Sequence, residues 1–256
     1  MKLSPTATRR LIIVVLLIVW ELLPRAGLIP PLFLPPLSRT LIVGLANWRE
    51  YSQHFIVTLR EIGIAGVLAS TLGVFFGALI GSVASLRALI LPLASSFYAI
   101  PLIVIYPVIA AWLGIGTTSK ICFAAVYGFL PTVLSTAAGI QTIPPQLLTA
   151  ADSMGATTLQ KIMRVMIPAA IPSVLSGLRL GGALVIVGVV VTEMLSSAAG
   201  IGYLITLYRT LLDTPQVFFA ILLVLAITVL FDTVMRLVER RTAVWQTAGR
   251  TQQLQN

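Results

Sequence analysis

Ala150-Ala151-Asp152-Ser153-Met154-Gly155, followed downstream by Val165-Met166-Ile167-Pro168, is the stretch whose reading decides the rest of this chain. It lies in a short polar island holding Thr149, Asp152, Ser153, Thr157, Thr158, Gln160, Lys161 and Arg164, with long apolar runs on both sides. Lipid cannot satisfy irregular backbone, so a loop of this length lies in water. The pattern predicts two short helices around Gly155, with Thr149 or Asp152 placed to cap. Such a knob on one membrane face is a docking device for another protein.

Composition sets the class. Hydrophobic residues make up 58% of the 256 and charged residues 10%, whereas a soluble domain carries about a quarter charged. Apolar runs near the roughly 20 residues that a spanning helix needs recur along the chain. The fold class is therefore all-α, a polytopic membrane protein with room for about six transmembrane helices and no separate soluble domain. The net charge of +9 is a topology signal and not a nucleic-acid signal. Cys122 is alone in an apolar run, which excludes a disulfide framework and a cysteine metal site. The sole histidine, His54, near a helix start, reads as a surface or interfacial residue rather than a metal ligand.

The spans are expected at Leu11 to Leu23, Ile56 to Val83, Ala88 to Leu113, Ile121 to Ile140, Ile171 to Leu195 and Val217 to Val238. The first follows Lys2, Arg9 and Arg10. No small-residue cleavage site comes after it, so it reads as an uncleaved anchor. Residues 24–54 are Pro-rich, then weakly amphipathic, and read as an extramembrane or interfacial segment. The organisation is thus 1–54 anchor and external segment, 55–240 a five-helix core with its loop at about 143–168, and 241–256 a cytoplasmic tail. Gly73, Gly77 and Gly81 fall four apart on one stripe, which lets another helix come close. Pro92, Pro101 and Pro107 kink the third span, and Pro131 lies within the fourth.

Charge gives the orientation. With both termini in the cytoplasm, nine basic residues lie inside (Lys2, Arg9, Arg10, Arg87, Lys161, Arg164, Arg240, Arg241, Arg250) against six outside (Arg25, Arg39, Arg49, Arg60, Lys120, Arg209). This bias places the island in the cytoplasm.

No catalytic constellation and no phosphate-binding glycine loop occurs, so this chain is not read as an enzyme. Asp232 and Arg236 are spaced for an i,i+4 pair. Arg179 and Glu193, about 21 Å apart along the fifth helix, project to nearly the same face. Ionisable residues there face protein or a water cavity, so each is either a pathway residue or a structural pair partner. Gly181, Gly182 and Gly188 leave room for a cavity or a second helix. Tyr98 and Tyr127, on the third and fourth spans, complete the pathway candidates. Transport against a gradient then needs an ion or a partner. An ion-coupled transporter carries inverted repeats and buried carboxylates, neither visible here, so a partner docking on the island fits better.

Ala150-Ala151-x3-Gly155-x9-Val165-x-Ile167-Pro168 resembles the EAA motif of permease subunits of bacterial ABC importers, which reads Glu-Ala-Ala-x3-Gly-x9-Ile-x-Leu-Pro. Thr149 stands for the leading Glu, and Val165 and Ile167 for Ile and Leu. Wider similarity covers about residues 30–240: Leu34-Pro35-Pro36, Thr58-Leu59-Arg60, Gly114 to Lys120, Gly177-Leu178-Arg179, and Glu193-Met194 with Gly200-Ile201-Gly202-Tyr203. These are similar to the nitrate, sulfonate and taurine branch, which includes carriers of thiamine-precursor and riboflavin type.

The resemblance implies a type I importer permease fold in the bacterial inner membrane. It implies two copies of the permease, a homodimer, forming the pathway, and two cytoplasmic ATPase subunits holding ATP and Mg. No cofactor is expected on this chain. A periplasmic or lipid-anchored solute-binding protein would deliver the cargo, a small anion such as a sulfonate, taurine or nitrate. The coupling helices would be about residues 144–165. Thr149, Ala150, Ala151, Asp152, Gly155, Ala156, Lys161 and Pro168 would meet the ATPase, and small residues let a knob seat closely in a cleft. Cysteines placed at Thr158 and at Thr117 should label from opposite sides of intact cells, Thr158 only after permeabilisation. Labelling of both from one side would overturn the orientation.

Overall fold

The computed structural model describes residues 5–98 and 100–253, and all its regular structure is helical. The helices are α1 (Pro5–Arg25), α2 (Leu37–Ala46), α3 (Trp48–Ser82), α4 (Ala84–Tyr98), α5 (Tyr106–Leu113), α6 (Thr117–Gln141), α7 (Pro145–Ser153), α8 (Thr158–Lys161), α9 (Ile167–Ala169), α10 (Ile171–Ser196), α11 (Ile201–Thr210) and α12 (Thr214–Gln253). Lys2 lies outside the described residues, as do the last three of the chain.

Among the described residues, α3, α6, α10 and α12 over Thr214–Thr242 are long and apolar enough to cross a membrane, and α4 with residues 102–113 adds a fifth if that bent pair is one span. The uninterrupted apolar run of α1, Leu11 to Trp20, is about 15 Å long, half of a roughly 30 Å hydrocarbon core. By length and composition, four or five of the six expected spans thus stand out among the described residues, and α1 is not one of them.

The third expected span is broken. Pro92 is tolerated inside α4, but the helix ends at Tyr98; Pro101 opens a 3-10 turn over Leu102–Ile105, and Pro107 falls in the first turn of α5. A proline disfavours helical backbone at the residue before it and lacks a donor, so a second and third proline end the helix instead of bending it. By contrast, α3 begins at Trp48, well before Ile56. Its polar first turns, expected as an extramembrane or interfacial segment, are helical, and their side chains have partners: the Tyr51 hydroxyl donates to the Gln216 carbonyl and side chain, both at 2.8 Å.

The chain divides into two compact units, Met1–Thr58 with Glu193–Ala226, and Leu59–Thr192 with Ile227–Asn256. In the first unit the Pro-rich segment folds back on the end of α1. Trp20 Nε1 donates to the Pro35 carbonyl at 3.0 Å, and Glu21 accepts from Ser38 N at 2.9 Å and Ser38 Oγ at 2.7 Å.

In the second unit α6 is the central helix. A Cβ built on Gly73 or Gly77 of α3 would strike Thr132 or Thr136 of α6, and one on Gly81 would meet Ala137. The expected stripe thus does let a second helix come close. The same stretch of α6 also meets α10 backbone to backbone, because Gly128 and Gly181 each leave no room for a Cβ against the other's carbonyl, and Thr132 lies against both Gly73 of α3 and Gly181. Small residues permit this approach, and dispersion at short range holds it.

Gly181→Val should lower the apparent Tm of the purified protein by an amount matching about 1–3 kcal/mol of overpacking. Gly63→Ala, which adds a methyl where nothing lies within 4 Å, should leave it unchanged. A thermal scan in detergent reads both.

Candidate functional site

Helix α7 starts with Pro145 in its first turn, where a missing N–H costs nothing. It ends in a Schellman turn: Ala156 N–H donates to the Ala151 carbonyl at 3.1 Å and Gly155 N–H to the Asp152 carbonyl at 2.9 Å. This turn needs Gly155 at φ +72°, where an L side chain is strained. The cap of the next helix is Thr157, not Thr149 or Asp152. Thr157 Oγ1 accepts from Gln160 N at 3.3 Å while Gln160 Oε1 accepts from Thr157 N at 2.9 Å, a reciprocal capping box. Thr149 instead donates back to the Pro145 carbonyl at 3.1 Å. Asp152 ties α7 to α8 through Lys161 Nζ at 2.6 Å.

One helical turn of π type, Ile162–Met166, follows, and Pro168 lies exposed in the first turn of α9. The knob is rooted by Ile143, Met166 and Ala170, which pack with Ala78, Ile140 and Val174. Ala151 is 7% exposed, the one buried residue of α7. Ala150 is exposed and Ala156 half-buried. The outward surface is apolar instead at Met154, 86% exposed, and at Leu159 and Met163.

The pathway candidates do not form one cluster. Arg179 Nε donates to Asp232 at 2.8 Å, and its guanidinium also reaches Glu239 at 3.5 Å. Asp232 additionally pairs with Arg236, as its spacing predicts. These groups border an open groove of about 450 Å³ with Ser176, Phe231 and Thr228. Gly181 meets α6, Gly182 lies against the Phe231 ring, and Gly188 against Ala124. Their missing side chains are therefore occupied by neighbouring helices within the chain. Tyr98 and Tyr127 pack on an aromatic cluster of Tyr106 and Phe123.

Glu193 is 1% exposed and belongs to the first unit. Its carboxylate accepts from Thr58 Oγ1 and from Gly202 N, both at 2.8 Å. Thr58 Oγ1 in turn accepts from Ile201 N at 2.8 Å. The N–H groups that open α11 thus have a carboxylate and a hydroxyl as partners, which suits a helix N-terminus. Gly200, at φ +108°, lies on the carboxylate so closely that a Cβ would overlap it. His54 is an acceptor here and not a free surface residue, since its Nδ1 takes the Gly200 N–H at 2.9 Å and its ring stacks on Tyr203. Nearby, burial and then the Glu50 carboxylate, 2.6 Å away, push the Tyr208 hydroxyl well above its ordinary value, so it remains a donor.

A buried ion pair escaped the sequence reading. Glu61 and Lys120, 1% and 3% exposed at the side chain, lie 2.6 Å apart in the second unit. Lys120 therefore does not belong with the exposed outer cations. The available signal was position: Thr58, Glu61, Ala65, Ala69 and Gly73 follow one another three or four apart, so Glu61 sits on the packing stripe of α3.

The family described as binding-protein-dependent transport system inner membrane component matches residues 69–244. The chain is 30% identical to the taurine transport system permease protein TauC of Escherichia coli, covering 90% of this chain and 86% of that one. It is 27% identical to the putative aliphatic sulfonates transport permease protein SsuC of Bacillus subtilis, over 91% and 85% of the two. Its fold is similar to that of an inward-facing structure of the MetNI methionine ABC transporter, with a TM-score of 0.65 at 19% identity, over 73% of this chain and 93% of that one.

Gly155→Val should cost about 1–2 kcal/mol in the turn. Amide exchange across residues 145–161 should accelerate about 5- to 30-fold, with exchange in α6 unchanged. Unaltered exchange in the knob would show that the turn tolerates a side chain.

Proposed function

Because the chain belongs to the inner membrane components of binding-protein-dependent transport systems, we propose that its knob, residues 145–168, is the element that couples it to an ATPase. The chain is the permease subunit of an ABC importer, a multi-pass inner-membrane protein whose ATPase is a separate subunit and whose partners include a substrate-binding protein. The observation that carries the coupling role is the build of the knob. Its backbone is held by a Schellman turn, a capping box and the Asp152–Lys161 pair, while Met154 and Leu159 stand outward. A rigid body with an apolar tip transmits force and gains affinity when the tip is buried.

In this reading two copies of the chain form the pathway, and two ATPases with ATP and Mg sit in the cytoplasm with the knob and both termini. ATP-driven closure of the ATPases moves α7 and α8, and the spans alternate between inward- and outward-facing. Glu193 acts by holding the start of α11 in place rather than by touching solute, since its carboxylate is buried and bonded. The cargo is a small anion of sulfonate class. Supporting this are the taurine and aliphatic sulfonates for which the two relatives are named and the exposed Arg60 and Arg209 on the proposed outer side.

Met154→Asp should leave the protein in the membrane at its normal level but remove co-purification of the ATPase and binding-protein-dependent uptake. Retention of both would refute the coupling role. For the cargo, calorimetry on the partner binding protein should show tight binding of taurine or an alkylsulfonate, and binding of riboflavin or a pyrimidine instead would reassign it.

A further inference from the structure

Helix α2 carries a face that its own unit leaves uncovered. Its inner face is closed: Thr40 is fully buried, and Gly44 lies under the Phe219 ring. Opposite, Ile42 is 68% exposed and Leu45 62%, with Trp48 half-exposed just past the junction with α3. Arg39 and Arg49 flank this apolar face and are exposed, and neither forms an ion pair among the described residues.

Placement selects the occupant. Ten residues of helix are about 15 Å long, too short to cross a core of roughly 30 Å. In α1, an exposed apolar run is first interrupted by a charge at Glu21, with Leu22 still 56% exposed, and ends at Arg25. Glu21 is also the residue that accepts both hydrogen bonds from Ser38, in the first turn of α2. So α2 begins at the depth where lipid-facing surface gives way to polar surface. Trp20 and Trp48, which bracket the segment, are the residue type that collects at that depth. An apolar face flanked by guanidinium groups at this level matches the boundary between acyl chains and phosphates of an anionic leaflet.

We propose that α2 is an in-plane membrane anchor that binds anionic phospholipid. Ile42 and Leu45 enter the acyl boundary, and Arg39 and Arg49 hold headgroup phosphates. The role is independent of ATPase coupling, which lies in other residues.

The test uses the full chain with Cys122→Ser and Ile42→Cys, labelled with an environment-sensitive fluorophore. It is reconstituted in phosphatidylcholine vesicles with and without phosphatidylglycerol. Emission should be blue-shifted and quenched by lipids brominated high on the acyl chain, and more strongly by brominated phosphatidylglycerol. Arg39→Gln with Arg49→Gln should reduce that preference, by about fivefold for each arginine. Leu45→Cys gives a second reporter should the first variant fail to assemble. Water-like emission untouched by brominated lipid at both positions would overturn the proposal. So would a shift seen only on adding the solute-binding protein, which would make the face a protein dock. Equal quenching by the two lipids would overturn the anionic-headgroup role.

Discussion

The close approach of α6 to both α3 and α10 is the contact on which the second unit depends. Within hydrocarbon there is no hydrophobic drive to bring helices together, so contact must come from shape. Here Gly73, Gly77 and Gly81 of α3 fit against Thr132, Thr136 and Ala137, and Gly128 meets Gly181 of α10 with no side chain between them. Thr132 adds a polar link, its Oγ1 donating to the Gly128 carbonyl at 2.8 Å on its own helix. The root of the knob continues this packing through Ile140 and Ile143. A movement of the knob therefore reaches α6 and α10 directly through packed side chains.

Charges inside the molecule follow the same economy. The Glu61–Lys120 pair is buried in the second unit, and Glu193 with Thr58 is buried in the first. In each, an acid on one helix meets a polar group on another, so neither carboxylate faces lipid, where it would be costly.

Helical class, the glycine stripe, the Asp232–Arg236 pair and the two helices around Gly155 were legible in the sequence, because each depends on spacing along one chain segment. What was not legible depends on partners far away in sequence. Glu193 stayed open between lining residue and structural partner because its own partners Thr58 and Gly202 come from other helices. Lys120 read as an outer cation because Glu61 was invisible as its mate. That α3 begins ahead of the span expected from Ile56 was not legible, because Glu50, Tyr51 and His54 are polar and their partners Tyr208, Gln216 and Gly200 lie far along the chain. The third span failed as one helix because Pro101 and Pro107 end it, where Pro92 alone is tolerated inside α4.

The central claim is that the knob meets an ATPase, and in-cell photocrosslinking from position 154 tests it most directly. A photoreactive residue there should give an adduct with the ATPase subunit whose yield changes when ATP hydrolysis is blocked. The same residue at Trp112, also highly exposed, should give none. An adduct from 112 and none from 154 would contradict the coupling role of the knob.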